Sequence, residues 1–410
     1  MISGTIKTGS YVLCILICAL SCREAEMKTV TVSVTMDHNR TIVEAEIQKP
    51  DSSWRPVRLW IDSGNPEFLL TTELARDLGL DSTSSATKDD ELTTDRFLRP
   101  RGVQIGTMPI DFSGINVTVL DDPQWLFKTM DCEANLPSTV LKRYHVVFDY
   151  PALLITLSEP GGIDPKGVRC DARINPVTGI VQLDALICDD SLSLALDNGA
   201  SYSFLSESVF NHTIESNANL RTINGAVGCA NIWGWWPRED EWPMTRIPRM
   251  QWGDVVLEDV GIVGLPNYFR DGSGLFDWYS KKSAYPVDGL LGPNAFKCFR
   301  VGIDYQNSAV YFEKITETEK HDLDIVGITV RVETDGRYRI VGIAQVDGEP
   351  TTAGVEPGDI IIGIDGIGMT GATMGTVVDA LRGNPGDMHT LEVDRKGERF
   401  TVEATVRRFL

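Results

Sequence analysis

Alternation of apolar and polar residues dominates the start of the chain. Thr29 to Met36 and Thr41 to Ile47 alternate with a period of two, and the polar turn Asp37-His38-Asn39-Arg40 separates them. This pattern predicts a β-hairpin with one face in the core. Short apolar runs, Leu59 to Ile61 at the end of the predicted strand Val57 to Ile61 and Leu194 to Leu196, predict buried strands. We therefore expect a mostly β protein.

The same order of predicted elements occurs twice. Ile180-Val181-Gln182 repeats Ile42-Val43-Glu44, and the segment Leu290 to Tyr305 repeats Asn135 to Tyr150. A unit repeated once at such a length predicts two similar lobes rather than a solenoid.

Each copy contains an acid directly after a buried apolar strand. The two stretches are Leu59-Trp60-Ile61-Asp62-Ser63-Gly64 and Leu194-Ala195-Leu196-Asp197-Asn198-Gly199-Ala200-Ser201. An acid at the end of a buried strand is costly unless it is paired or hydrogen-bonded. Because both settings repeat, we expect Asp62 and Asp197 to meet in space.

These stretches resemble the Asp-Thr/Ser-Gly motifs of pepsin-like and retropepsin-like aspartic proteases. Asp288-Gly289-Leu290-Leu291-Gly292 resembles a second element of that family, which lies behind the catalytic loop. The resemblance implies a bilobal pair of β-barrels that hydrolyses peptide bonds. Asp62 and Asp197 would be catalytic, sharing one proton and activating a water molecule.

The resemblance also assigns supporting roles to the residues that follow each acid. Ser63 and Asn198 would hold the two loops together by hydrogen bonds, and Gly64 and Gly199 would allow the loops to approach closely. Ser201 completes the second loop. Because Asn198 carries an amide, we expect it to donate a hydrogen bond that favours an ionised carboxylate.

Three positions depart from the family pattern. Asn198 replaces the usual Thr or Ser, Asn65-Pro66 replaces small residues, and Asn135-Leu136-Pro137 stands where the family has two apolar residues and a Gly. The fold tolerates such changes more readily than activity does. The alternative is therefore a catalytically inactive, protease-like protein of the cell envelope that binds peptides or acts as a scaffold.

The second copy carries additional residues after its acid. They include Trp233, Trp235 and Trp236, which would cover the substrate in the position of the family's flap. The alternative is that these side chains pack in the core between the lobes, as most aromatic residues do.

A charged linker, Thr316 to Asp322, precedes a segment that resembles a bacterial PDZ domain, a small α+β fold. The resemblance rests on Pro357-Gly358-Asp359-Ile360 and the following run to Asp365-Gly366. It implies a peptide groove beside a helix at Thr373 to Leu381. Val326, Gly327, Ile328 and Thr329 would hold the terminal carboxylate of a peptide partner; the alternative is an ordinary strand start.

The N-terminus has the pattern of a secretory signal peptide. An apolar run, Tyr11 to Leu20, is too short to span a bilayer and is followed by Ser21-Cys22. This ending resembles a bacterial lipoprotein cleavage box, in which Cys22 would be lipidated; the alternative is a plain signal peptide. We expect an exported protein of the periplasm or outer membrane with a possible lipid anchor.

Composition and charge limit the kinds of partner, bond and cofactor that the sequence predicts. The net charge of -20 argues against nucleic acid or an anionic membrane surface. Cys170 and Cys188 flank a predicted hairpin and are candidates for a disulfide, the alternative being two buried thiols. The scattered histidines predict no metal site, and no cofactor is expected.

The resulting organisation has four parts. They are a signal peptide (1–22), lobe 1 (23–160), lobe 2 (161–315), and a linker with a PDZ domain (316–410). Because both acids lie in one chain, we expect a monomer that acts on proteins or peptides.

Overall fold

The structure is a computed structural model that describes residues 28–80, 93–95, 100–115, 117–120, 127–224, 242–266, 274–346 and 349–410. Strands predominate, which confirms the predicted mostly β class. Within these ranges, no helix is both long enough and apolar enough to cross a membrane. The predicted signal peptide, Cys22 and the three tryptophans Trp233, Trp235 and Trp236 lie outside the described residues.

We use the name lobe 1 for the described residues up to 160. Its elements are β1 (Thr29–Asp37), β2 (Arg40–Gln48), β3 (Trp54–Asp62), β4 (Phe68–Thr71), α1 (Thr72–Asp77), β5 (Thr93–Asp95), β6 (Val103–Ile105), β7 (Met108–Ile110), β8 (Val117–Leu120), a 3-10 turn (Lys128–Met130), β9 (Ala134–Pro137), α2 (Ser138–Leu141), β10 (His145–Asp149) and β11 (Leu154–Ser158).

Lobe 2 comprises the described residues from 161 to 315. Its elements are β12 (Val168–Asp171), β13 (Arg173–Ile174), β14 (Val181–Ile187), β15 (Asp190–Leu196), β16 (Ser203–Ser206), α3 (Glu207–Ser216), β17 (Thr222–Asn224), β18 (Pro243–Trp252), β19 (Val255–Leu265), α4 (Leu275–Lys282), β20 (Gly289–Leu291), α5 (Pro293–Phe296), β21 (Phe299–Asp304) and β22 (Ala309–Lys314).

The C-terminal unit is our name for residues 316–410. Its elements are β23 (Asp324–Ile325), β24 (Ile328–Val332), β25 (Tyr338–Ile343), β26 (Gln345–Val346), β27 (Glu349–Pro350), β28 (Ile360–Ile364), β29 (Ile367–Gly368), α6 (Met374–Ala380), β30 (Met388–Arg395), β31 (Glu398–Thr405) and β32 (Arg407–Arg408). The order β24-β25-β28-β30-β31 forms one antiparallel sheet.

Strand pairing confirms the internal duplication. In lobe 1, β3 runs parallel to β9, with Leu59 opposite Ala134; in lobe 2, β15 runs parallel to β20, with Leu194 opposite Gly289. These pairs keep the spacings of the two copies in the sequence: 194 − 59 is 135, the separation of Asp62 and Asp197, and 289 − 134 is 155, the separation of Tyr150 and Tyr305. Likewise β4 pairs with β8 and β9, as β16 pairs with β19 and β20.

The two lobes share a sheet. β12, β22, β21, β10, β11 and β1 lie side by side in that order. Val147 on β10 lies opposite Gly302 on β21, and these are equivalent positions of the two copies, because 302 − 147 is 155. The antiparallel pairing therefore lies on the approximate twofold axis that relates the lobes.

The C-terminal unit packs against both lobes. One apolar core contains Met244 and Phe276 of lobe 2 together with Ile340 of the C-terminal unit. Asp322, at the end of the predicted linker, is buried between Arg246 Nη2 at 2.7 Å and the Tyr202 hydroxyl at 2.8 Å. The linker is therefore anchored at this end.

The tip of the β1–β2 hairpin connects three parts of the protein. The backbone N–H of Gly375, in the first turn of α6, donates to Asp37 Oδ1 at 3.1 Å. Asn39 Nδ2 donates to the carbonyl oxygen of Ser201 at 2.9 Å. The same turn thus touches the C-terminal helix and the second acid-bearing loop.

Candidate functional site

The two predicted catalytic acids lie at the ends of equivalent buried strands. Asp62 is the last residue of β3, and Asp197 directly follows β15. Both side chains are almost completely buried, with residue exposures of 4% and 2%. The parallel strands β9 and β20 pack beside β3 and β15, so the backbone behind each acid is fixed on both sides.

Each acid touches the loop that carries the other. A Cβ atom added at Gly199 would lie 2.6 Å from Asp62 Oδ1, and one added at Gly64 would overlap the Asp197 carboxylate. Only glycine leaves room for this approach at either position. The structure therefore brings Asp62, Gly64, Asp197 and Gly199 together, as the sequence predicts.

Ser63 links the two loops directly. Its Oγ donates to the carbonyl oxygen of Leu196 at 3.0 Å and accepts the backbone N–H of Asn198 at 2.9 Å. All of these groups are buried, so the two hydrogen bonds replace contacts with water that the loops lose on folding. The predicted supporting role of Ser63 agrees with this geometry.

Asn198 and Ser201 make no equivalent link with their side chains. The Asn198 Nδ2 and Oδ1 atoms and the Ser201 Oγ atom are buried without a hydrogen-bond partner among the described residues. The prediction that the Asn198 amide donates to an ionised carboxylate is wrong, because its Nδ2 has no hydrogen-bond acceptor among the described residues. Ser201 contributes through its carbonyl oxygen, which accepts from Asn39 Nδ2.

The hydrogen bonds around the two carboxylates differ. Asp197 Oδ1 accepts the N–H groups of Gly199 at 2.8 Å and Ala200 at 3.1 Å, and its Oδ2 accepts the Tyr279 hydroxyl at 2.7 Å. Asp62 Oδ1 accepts the N–H of Gly64 at 3.2 Å. Asp197 thus accepts a phenol and two backbone N–H groups, whereas the other donors that lower the pKa of Asp62 are the Asn135 side chain and the backbone N–H of Asn65.

Burial raises the pKa of both acids. For Asp62 the increase is large, and the neighbouring charge of Asp197 adds to it. For Asp197 burial again raises the pKa, and the hydrogen bond from Tyr279 and the backbone N–H groups oppose that increase. A close pair of this kind holds one proton over a wide pH range, so one member can act as a base and the other as an acid.

The unusual Asn135-Leu136-Pro137 segment is accommodated without a buried unpaired group. Asn135 Oδ1 accepts the N–H of Leu69 at 2.7 Å, and its Nδ2 donates to the carbonyl oxygen of Glu67 at 3.0 Å. Pro137 lies opposite Asp62 with φ of -80°, an ordinary value for proline. This departure from the family pattern therefore leaves the strand beside Asp62 intact.

Cys170 and Cys188 are free thiols, so the prediction of a disulfide between them is wrong. The hairpin behind that prediction forms only in part: β13 pairs with β14, but Cys170 lies on β12, which pairs with β22 instead. Its Sγ points to the carbonyl oxygen of Trp252, at 3.6 Å. Burial raises the pKa of the Cys170 thiol to about 11, which keeps it protonated.

The predicted carboxylate-binding residues of the C-terminal unit are all buried. Val326 and Gly327 connect β23 to β24, and Ile328 and Thr329 begin β24. The Ile328 N–H donates to the carbonyl oxygen of Val326 at 2.8 Å. Among the described strands, β24 pairs with β25 alone and is the edge of its sheet.

Sequence reasoning missed Tyr279 and Asn39 as parts of the site. Tyr279 reaches Asp197 across 82 residues, and Asn39 reaches Ser201 across 162. No local motif marks either residue. The only signal was that Asn39 occupies a turn between two predicted strands, where positive φ values are common; its φ is 63°.

Comparison with known proteins adds little. No protein-family model matches the chain, and no curated protein does. Among solved structures, the aspartic proteinase from Irpex lacteus matches over 71% of this chain and 98% of that chain, with 10% sequence identity and a TM-score of 0.40. A likeness of this degree establishes neither fold nor activity. The function of this protein is therefore inferred from the geometry of the site.

Proposed function

We propose that this protein is an aspartic endopeptidase that hydrolyses peptide bonds through Asp62 and Asp197. One observation carries the proposal. Two buried acids lie on equivalent loops, each in contact with the glycine of the opposite loop, and Ser63 bridges the loops. A structural ion pair would instead bring a cation to these carboxylates, whereas their neighbours are backbone N–H groups, the Asn135 side chain and the Tyr279 phenol.

The chemistry follows from the shared proton. Like charges in contact are unfavourable, so the singly protonated pair predominates between the two apparent pKa values. In that state, one carboxylate accepts a proton from an attacking water molecule. The other donates its proton to the carbonyl oxygen of the peptide bond, where negative charge would otherwise develop.

The test is cleavage of a short unstructured peptide by the full chain across the acidic pH range. We expect a bell-shaped pH dependence, and we expect Asp62→Asn and Asp197→Asn each to abolish cleavage while unfolding is unchanged or delayed. Asp164→Asn is the matched control, because Asp164 is exposed in lobe 2. Cleavage that persists in either the Asp62→Asn or the Asp197→Asn variant would exclude this activity.

The second candidate is a catalytically inactive protein that binds peptides or acts as a scaffold. It is favoured by the unpartnered Asn198 side chain, which leaves one of the two links between the loops unmade. Inactive wild-type protein that nevertheless binds peptides in competition with an uncleavable analogue would favour this function over hydrolysis.

We further propose that the C-terminal unit recruits peptides by their C-termini and that the chain is exported, with Cys22 as a site of lipidation. The edge position of β24 supports strand addition by a peptide, because its outer N–H and C=O groups can pair with an added strand. Fluorescence anisotropy tests recruitment: a peptide with a free C-terminus should bind more tightly than its amide, and equal affinities would refute it.

Incorporation of labelled palmitate in cells tests lipidation. We expect the wild-type protein to incorporate the label and the Cys22→Ser variant to lose it.

A further inference from the structure

The environment of the two acids is asymmetric, and the asymmetry comes from a residue outside both motifs. Tyr279 belongs to α4, and its hydroxyl donates to Asp197 Oδ2 at 2.7 Å. Leu275 and Tyr279, one helical turn apart, are both buried, so this face of α4 packs inward. Trp278 contacts the Tyr279 ring edge-to-face, with centroids 5.0 Å apart, which fixes its orientation.

The loop of Asp197 lacks a side-chain donor of its own. Residue 200 is alanine, and the Asn198 amide makes no hydrogen bond to the acid. The hydroxyl of Tyr279 fills that role from a distant helix. It can do so only because Gly64, on the opposite loop, has no side chain: a Cβ there would lie 2.6 Å from the phenolic oxygen.

We propose that Tyr279 is a positioning residue that gives Asp62 and Asp197, the catalytic dyad, different roles. Its hydrogen bond holds Asp197 as the ionised carboxylate, so Asp62 carries the shared proton. This inference rests on the proposed peptidase function and deepens it, because it assigns the base and the acid.

The charged and titratable groups around Asp197 agree with this assignment. Asp62 faces it from lobe 1, Tyr279 from α4, and Tyr150 from the end of β10. Burial raises the pKa of both tyrosines well above the usual range, so both phenols remain neutral and can donate. Asp197 accepts the Tyr279 hydroxyl and two backbone N–H groups, which favour its ionised form, so the shared proton is left to Asp62.

Over one catalytic cycle, both acids return to their starting protonation states. The oxygen of water bonds to the carbonyl carbon while a water proton passes to Asp197, and the Asp62 proton passes to the carbonyl oxygen. When the resulting diol collapses, the C–N bond breaks. Asp197 gives its proton to the amine nitrogen, and Asp62 takes back a hydroxyl proton, which restores the starting state.

The test replaces Tyr279 by Phe in the full chain, with Tyr285→Phe as the matched control. Tyr285 is 59% exposed and lies outside the dyad. Loss of a hydrogen bond to the ionised form should raise the pKa of Asp197, so the acidic limb of the kcat/KM profile should move up by about one pH unit. The control should leave the profile unchanged. Thermal unfolding of both variants checks that the fold is kept.

A second measurement keeps the inference testable if the wild-type protein proves inactive. Carboxyl 13C NMR titration should show a higher pKa for Asp197 in Tyr279→Phe than in the wild type. An unmoved acidic limb, or an unmoved Asp197 titration, would overturn the role of Tyr279 while leaving the peptidase function standing. Faster cleavage by Tyr279→Phe at every pH would also overturn it, because Tyr279 would then obstruct the dyad. Cleavage that survives Asp62→Asn would instead refute the peptidase function itself.

Discussion

Ser63 is the side chain on which the contact between the two acid-bearing loops most depends. Replacing it by Ala removes one hydroxyl and breaks two buried hydrogen bonds. The N–H of Asn198 loses its acceptor, and the carbonyl oxygen of Leu196 loses its donor. Both groups are shielded from water, so the lost bonds are not replaced.

The expected cost follows from these two groups. A buried polar group left without a partner costs roughly 1–3 kcal/mol, so Ser63→Ala should lower the free energy of unfolding by about 2–4 kcal/mol. The carbonyl oxygen retains a second lone pair, which places the estimate below the sum of two full penalties. Because the loops also lose their alignment, kcat/KM should fall further than the loss of folded protein explains.

Ser201→Ala is the matched control. Ser201 is equally buried and lies on the second loop, but its Oγ has no hydrogen-bond partner among the described residues. Its removal should change the free energy of unfolding by less than about 0.5 kcal/mol. Urea unfolding followed by tryptophan fluorescence measures both variants. If Ser201→Ala destabilises the protein as much as Ser63→Ala, the bridge between the loops is not the source of the effect.

Three further changes probe the same site. Asn198→Thr should raise the free energy of unfolding by about 1 kcal/mol, because its hydroxyl can donate to the carbonyl oxygen of Ile61, the counterpart of the existing Ser63 bond; unchanged urea unfolding would refute this. Gly199→Ala should destabilise the protein and abolish cleavage, since its Cβ would lie 2.6 Å from Asp62 Oδ1, whereas Gly368→Ala meets no atom within 4 Å and should be neutral in the same assays. Asp62→Asn should stabilise the protein increasingly as pH rises: a folded-state pKa raised by burial contributes stability at low pH that is lost as the acid ionises. The difference in unfolding free energy from the wild type should therefore be larger at pH 7 than at pH 4, and a constant difference would contradict the raised pKa.

Local pattern was sufficient to predict much of the architecture. Alternation predicted the first hairpin, which the structure confirms as β1 and β2, and the short apolar runs predicted the strands that end at the two acids. The repeated segments, such as Asn135 to Tyr150 and Leu290 to Tyr305, predicted the duplication seen in the strand pairing. These features depend on the period of apolar side chains and on the order of elements along the chain. Both can be read directly from the sequence.

Predictions failed where a contact joins distant segments. The Cys170–Cys188 disulfide was inferred from a hairpin, but pairing with the closing strand β22 takes Cys170 elsewhere. Similarly, the sequence predicts that the Asn198 amide supports the acids, yet this amide has no hydrogen-bond partner among the described residues. The residue type alone gave the donor but not its orientation.

Patterns along the chain were therefore sufficient to predict the mostly β class, the two copies and the two acids. The groups that surround those acids could be identified only after folding had placed them. Tyr279 donates to Asp197 because α4 packs its buried face over the second loop, and Gly64 leaves the space from the other lobe. The physical reason is that hydrogen bonding and pKa depend on burial and on neighbours within a few ångströms, and chain folding brings those neighbours together from positions that no local pattern connects.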